Sequence, residues 1–159
     1  DVGKERIRRT GEAVRAERGP RRAGDTGFRV LKVDSTNMAD VRRRPQLLRQ
    51  DDLARLAETV HPGRTAEDLL FEVMLGCGVD LGAPIAAEEI DGRAVFLVAD
   101  DALIACLAAD ISPAVVRDIA RRAPARAVFL DSGFATDADR IEADRVFARL
   151  SPATEVRVI

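Results

Sequence analysis

The stretch Leu75-Gly76-Cys77-Gly78-Val79-Asp80-Leu81-Gly82 is where this chain comes closest to a Gly-x-Gly loop, the arrangement that lets backbone amides approach an anionic cofactor. Such a loop leaves a strand and opens a helix, so that the helix N-terminus faces the ligand. Here the preceding residues read as a helix, and the glycines are expected to supply a left-handed C-cap instead. His61, the single histidine, sits in a His61-Pro62-Gly63 turn with no Ser or Cys close in sequence, so a catalytic triad is not expected there. Glu88-Glu89, Asp100-Asp101 and Asp137 with Asp139 carry the oxygens that a hard cation needs, yet turns and helix starts account for them, because acidic groups there offset backbone dipoles. Neither a metal site nor a catalytic residue is expected.

Two groupings are carried forward as candidate sites. Asp131-Ser132-Gly133-Phe134 follows a run that reads as a parallel strand, and open α/β sheets bind ligands at the carboxyl ends of such strands. Asp131 and Ser132 are therefore ligand-binding candidates, beside their ordinary use as turn and helix-entry residues. The second grouping is basic: Lys4, Arg6, Arg8 and Arg9 near the start, and the run Arg42-Arg43-Arg44. Residues 1–50 carry 14 Lys and Arg against 7 Asp and Glu, whereas residues 51–159 carry 11 against 20, an asymmetry that the net charge of −2 conceals. A basic leading segment of this kind suits phosphate or an acidic protein surface. No aromatic is interleaved with the arginines, so base stacking is not indicated.

These groups have to be positioned by the elements around them. Lys4–Arg18 reads as a helix, with Ile7, Gly11 and Val14 on a thin apolar stripe, and Gly19-Pro20 ends it. Residues 1–24 are thus expected to form a basic helix and linker, and residues 25–159 an α/β domain. Phe28–Val33 alternates as a strand would. Gln46–Val60 has helical spacing, and Thr65-Ala66-Glu67-Asp68 caps a second, more apolar helix through Leu75. Strands follow over Ile85–Ile90, Arg93–Ala99 and Leu103–Ala108, the first two joined by an Asp91-Gly92 turn. A helix over Pro113–Arg122, a strand over Arg126–Leu130, a helix over Asp137–Leu150 and a strand over Glu155–Ile159 complete the chain. The expected fold is therefore α/β, with a mixed sheet that joins an antiparallel meander to a C-terminal parallel βαβαβ unit, plus the N-terminal basic helix. Cys77 and Cys106 lack metal or disulfide spacing and read as core residues in a reducing cytoplasm. No apolar run approaches the roughly 20 residues that a membrane span needs.

Ordered segments of the chain resemble a known family. Gly3-Lys4-Glu5-Arg6-Ile7-Arg8-Arg9, then Gly27 to Met38 (GFRVLKVDSTNM), then Arg64 to Leu75 (RTAEDLLFEVML), Val95-Phe96, Leu103-Ile104-Ala105-Cys106, Val128 to Phe134 (VFLDSGF) and Leu150 to Val156 (LSPATEV) look like the end of type III restriction-modification DNA methyltransferases, which are adenine-N6-specific. The resemblance spans nearly the whole chain. It implies that the catalytic half precedes these residues, with an Asp-Pro-Pro-Tyr-type motif for the flipped adenine and a Phe-x-Gly-x-Gly-type motif for S-adenosylmethionine. Neither motif is present, and the chain has no Tyr and no Pro-Pro pair. An extruded base needs a pocket with stacking groups and hydrogen-bond partners, so methyl transfer is not expected from these residues alone. Lys4–Arg18 would close the methyltransferase domain. The opening Asp1, in place of Met, fits a fragment.

The expectation is thus a non-catalytic C-terminal fragment of a site-specific DNA adenine-N6 methyltransferase, without a cofactor of its own, the parent protein using S-adenosylmethionine. Implied partners are the remainder of the methyltransferase, a second modification (Mod) subunit, the restriction subunit and DNA. Two other classes stay open: an independent small α/β enzyme or ligand-binding domain centred on Asp131 and Ser132, and an arginine-rich nucleic-acid-binding module.

Overall fold

The computed structural model describes residues 2–19, 26–38 and 60–159. Arg42, Arg43, Arg44 and the helix expected to begin at Gln46 lie outside the described residues. The chain divides into two compact units, Asp1–Ser35 and Thr36–Ile159. Among the described residues no helix is long and apolar enough to cross a membrane.

The first unit is built on helix α1, Val2–Arg18. Its last turn carries Arg15 and Arg18, cations that complement the C-terminal end of the helix dipole, and Gly19 leaves it in a left-handed conformation (φ 74°). Phe28–Val33 is extended but pairs with no strand among the described residues, contrary to the alternation of its sequence. A strand exists only when a neighbouring strand takes its amides and carbonyls; here Val33 is 97% exposed.

The second unit is an α/β domain around one five-stranded sheet, in the order β1 (Ile85–Ile90), β2 (Arg93–Val98), β3 (Leu103–Cys106), β4 (Arg126–Phe129), β5 (Glu155–Val158). β1, β2 and β3 pair antiparallel, and β3, β4 and β5 pair parallel. The meander and the βαβαβ unit therefore meet at β3, as the order of strands and helices in the sequence predicts. Asp91 and Gly92 both have positive φ (50° and 74°), the conformation that a two-residue turn needs to match strand twist.

Helices cover both faces. Helix α2 (Ala66–Gly76) starts with a capping box in which Thr65 and Asp68 exchange hydrogen bonds. It ends in a Schellman arrangement, Val79 N–H donating to Met74 O (2.8 Å) and Gly78 N–H to Leu75 O (3.1 Å), with Gly78 at φ +66°. The glycine loop is thus a helix stop, as its sequence context predicts. Helix α3 (Pro113–Arg122) is capped by Ser112 with Pro at its start, and helix α4 (Asp137–Leu150) is capped by Thr136.

Strand alternation divides the apolar residues between two layers. Leu69, Leu70, Val73 and Met74 of α2 pack with Val98, Leu103, Ala105, Val128 and Leu130. On the other face, Val115, Val116 and Ile119 of α3 and Ala143, Val146 and Phe147 of α4 pack with Val95, Leu97, Ile104, Cys106, Ala127 and Phe129. Each fully buried Val, Leu, Ile or Phe contributes about 1.5–3 kcal/mol, which makes these two layers the main source of stability. Phe129 lies at the centre of the second, with ring centroids 5.8 Å from Phe147 and 5.7 Å from Phe134.

Candidate functional site

Helical geometry sorts the basic residues of α1 into two groups. Lys4, Arg8, Arg15 and Arg18 are spaced by four, seven and three, so they line one side of the helix, and Gly11 lies among them. Arg6 and Arg9 project from the other side. Local density along the sequence singles out Lys4, Arg6, Arg8 and Arg9; the helix instead aligns Lys4 and Arg8 with Arg15 and Arg18, and the angular periodicity is the signal that distinguishes them.

The groups on this helix are not equivalent. Glu5 accepts from Arg9 Nε at 2.7 Å and from Arg8 at 2.9 Å, and Arg8 also reaches Glu12 at 3.4 Å. Hydrogen bonds from Arg9 and then Arg8 hold the Glu5 carboxyl below the usual carboxylate range. Arg15 donates to Thr26 Oγ1 at 2.7 Å. No ion pair engages Lys4 or Arg6 among the described residues. The extended segment after residue 26 passes over Gly11, where a Cβ would stand 3.1 Å from the Thr26 carbonyl oxygen. An open cleft of about 330 Å³ results, lined by Arg8, Gly11, Glu12, Arg15, Thr26 and Phe28. Its guanidinium groups and exposed helix side suit an extended polyanion, for which surface charge without a deep pocket is sufficient.

Asp131 and Ser132 do lie at the carboxyl end of β4, in a 3-10 turn over Asp131–Gly133. The surroundings are those of a packed joint. Asp131 N–H donates to Ile159 O at 2.7 Å, and its carboxylate pairs with Arg140 of α4 at 3.1 Å. The Gly133 carbonyl accepts from Ile111 N–H at 2.7 Å, drawing the turn against the loop after β3. The Ser132 side chain is exposed. Among the described residues no second acid or base is brought onto Ser132, and Arg140 neutralises Asp131.

Two members of the acidic pairs have local partners. Glu88 pairs with Arg122 at 2.6 Å, and Asp139 takes part in the Thr136 cap. Among the described residues no group of three or more His, Cys, Asp or Glu is placed to hold a metal ion. The exposed His61 donates its backbone N–H to Asn37 O at 2.8 Å, and its carbonyl accepts from Arg64 N–H at 3.3 Å, closing the turn over Pro62-Gly63. Cys106 is fully buried, and loss of solvent pushes its thiol pKa up, which disfavours the reactive thiolate.

One feature of the second unit is not foreshadowed by any sequence pattern. Between α2 and the β4–β5 edge lies a groove of about 270 Å³, walled by Met38, Val73, Val128 and Ile159, with Glu72, Cys77 and Arg157 at its rim. Glu72 is spent on structure: it accepts from Thr36 Oγ1 at 2.8 Å and from Asn37 N–H at 2.9 Å, while Asn37 Nδ2 donates to Asp68 O at 2.9 Å. This clasp fixes Thr36–Met38 on α2, and Met38 then forms an antiparallel bridge with Val60. Asn37 and Glu72, 35 residues apart in sequence, meet here, so no local pattern announces the clasp.

The site best supported by charge and geometry is the basic side of α1; no protein-family model matches the chain, and neither does any curated protein.

Proposed function

We propose that this chain is the C-terminal part of an adenine-N6-specific DNA methyltransferase of a type III restriction-modification system, where it serves assembly and DNA contact without catalysing methyl transfer. The observation that carries the reading is α1: a helix with four cations along one side that buries none of its own residues, leaving Ile7 51% exposed. An amphipathic element of this kind gains stability by packing on a larger body, and in the family that the sequence resembles the corresponding helix closes the methyltransferase domain. The cations would then face phosphate. The second unit supplies a rigid α/β platform for contact with a second modification subunit or the restriction subunit.

In this reading S-adenosylmethionine belongs to the parent protein and is held by residues of the catalytic half, outside this sequence. The setting is the cytoplasm, where the DNA is. The ligand-binding alternative at Asp131 and Ser132 has less support, because Arg140 and the Gly133 joint already account for that corner.

The gene itself provides the test. An upstream reading frame continuous with this one and encoding Asp-Pro-Pro-Tyr-type and Phe-x-Gly-x-Gly-type motifs is the expected result. An upstream frame without either motif would overturn the assignment. Calorimetric titration of the isolated 159-residue chain with S-adenosylmethionine is expected to give no binding isotherm, and saturable binding would contradict the proposed division of labour.

A further inference from the structure

Along the sequence no aromatic lies among the arginines of α1, but the fold of the first unit brings one beside them. The segment after residue 26 returns over the helix, so Phe28 lines the same open cleft as Arg8, Gly11 and Arg15. Phe28 is 41% exposed there. Gly11 adds no side chain to the floor of the cleft, where a Cβ would stand 3.1 Å from the Thr26 carbonyl oxygen. The two cations at the cleft differ. Arg8 shares its charge with Glu5 (2.9 Å) and Glu12 (3.4 Å), whereas Arg15 donates to the Thr26 hydroxyl at 2.7 Å, a partner that orients the guanidinium without neutralising it. Beyond the cleft, Lys4 and Arg18 continue the same side of the helix, about 21 Å apart along its axis.

We propose that this cleft takes an unpaired nucleotide of single-stranded DNA, with Phe28 against the base and Arg15 on a neighbouring phosphate. Stacking of a base on an aromatic side chain tolerates any sequence, because every base has a π-face, and a basic track beside it holds the backbone. A duplex keeps those faces inside its own stack, so Phe28 finds nothing to bind along it. Lys4 and Arg18 carry the strand on either side of the cleft. Positive charge attracts both forms of DNA, and Phe28 is the group that discriminates between them. The inference rests on the proposed DNA contact of α1 and names the form of DNA which that contact takes.

The chain has no Trp and no Tyr, so Phe28→Trp in the full 159-residue chain places a single indole at the cleft. Its fluorescence is expected to be quenched by an oligodeoxythymidylate of about 12 nucleotides, and to stay unchanged with a long blunt duplex or with inorganic polyphosphate, which offers charge alone. Anisotropy of a labelled strand gives an independent reading without the indole. Phe28→Leu keeps an apolar side chain but no π-face, and is expected to weaken single-strand binding about tenfold while leaving the slope of log K against log salt unchanged. Arg15→Gln is expected to reduce that slope by about 0.7, one phosphate's share for a single strand. Equal quenching by single strand and duplex overturns the inference, as does a folded Phe28→Leu variant that binds as tightly as the unsubstituted chain. The methyltransferase assignment, which the upstream reading frame decides, survives either result. An oligoribonucleotide that binds more tightly than its DNA counterpart also overturns the inference. Absence of binding to both forms of DNA removes the DNA contact of α1 together with it.

Discussion

Gly133 lies so close to Ala108 that a Cβ at position 133 would stand 2.5 Å from the Ala108 carbonyl oxygen and 2.6 Å from Ile111 Cδ1. The turn after β4 and the loop after β3 are locked by this approach and by the Ile111 N–H to Gly133 O bond. Gly133→Ala is therefore expected to destabilise the second unit by about 1–3 kcal/mol, the range for overpacking against atoms that cannot yield. Chemical denaturation should show the loss as a lower midpoint. An unchanged midpoint would mean that the joint yields more easily than these distances imply.

Ala123 presents the opposite case. It caps α3 in a left-handed conformation (φ 50°, ψ 53°), which costs a residue with a Cβ roughly 1–2 kcal/mol. Ala123→Gly removes that strain but adds freedom to the unfolded chain, so a net gain of about 0.5–1 kcal/mol is expected in thermal unfolding. A decrease would show that the side chain contributes packing at that cap.

Glu72→Ala should open the clasp on Thr36–Met38. It removes the acceptor of two hydrogen bonds, one of them from a part-buried backbone amide, at an expected cost of about 1–3 kcal/mol. Hydrogen exchange provides the local reading: the amides of Asn37 and His61 should lose protection, while those of β3 keep theirs.

Acid sensitivity should arise partly at β5. Hydrogen bonds from Arg126 and then Arg157 depress the Glu155 pKa. A depressed carboxyl contributes stability that is fully present above its unfolded pKa and is lost as pH falls through the folded value. Glu155→Gln is expected to flatten the dependence of melting temperature on pH below about 4.5, while an identical slope in both proteins would exclude a role for this group.

Binding to duplex DNA, where it occurs, should follow the side of α1. Replacing Lys4, Arg8, Arg15 and Arg18 together by Gln is expected to lower affinity and to reduce the slope of log K against log salt by about 0.9 for every phosphate no longer neutralised. Replacing Arg6 and Arg9 should do less. Fluorescence anisotropy across a salt series separates the two, and equal losses from both sets would favour undirected charge.

From Thr65 onward the elements are legible because each is marked locally. Ser112-Pro113 starts α3, Asp91-Gly92 turns the hairpin, and the continuous apolar runs of β3 and β4 mark strands buried on both sides. Phe28–Val33 misleads for a physical reason: alternation describes a surface that a strand would need, and it does not supply the neighbouring strand. Asp131 and Ser132 do stand at the strand end where topology places them, but what fills that corner is Gly133 against Ala108, a contact between residues 25 apart that no spacing rule reveals. The cations of α1 are visible as composition, and only the helix angle shows which of them stand together.

β3 is buried along its whole length and sends alternate side chains into both apolar layers, Leu103 and Ala105 to one and Ile104 and Cys106 to the other. A strand shared in this way ties the sheet and the three helices that cover it into one body whose two layers cannot melt separately. Stripping α2 from one side or α3 and α4 from the other would wet the same short strand, so heat should take the sheet and these three helices through one sharp calorimetric peak.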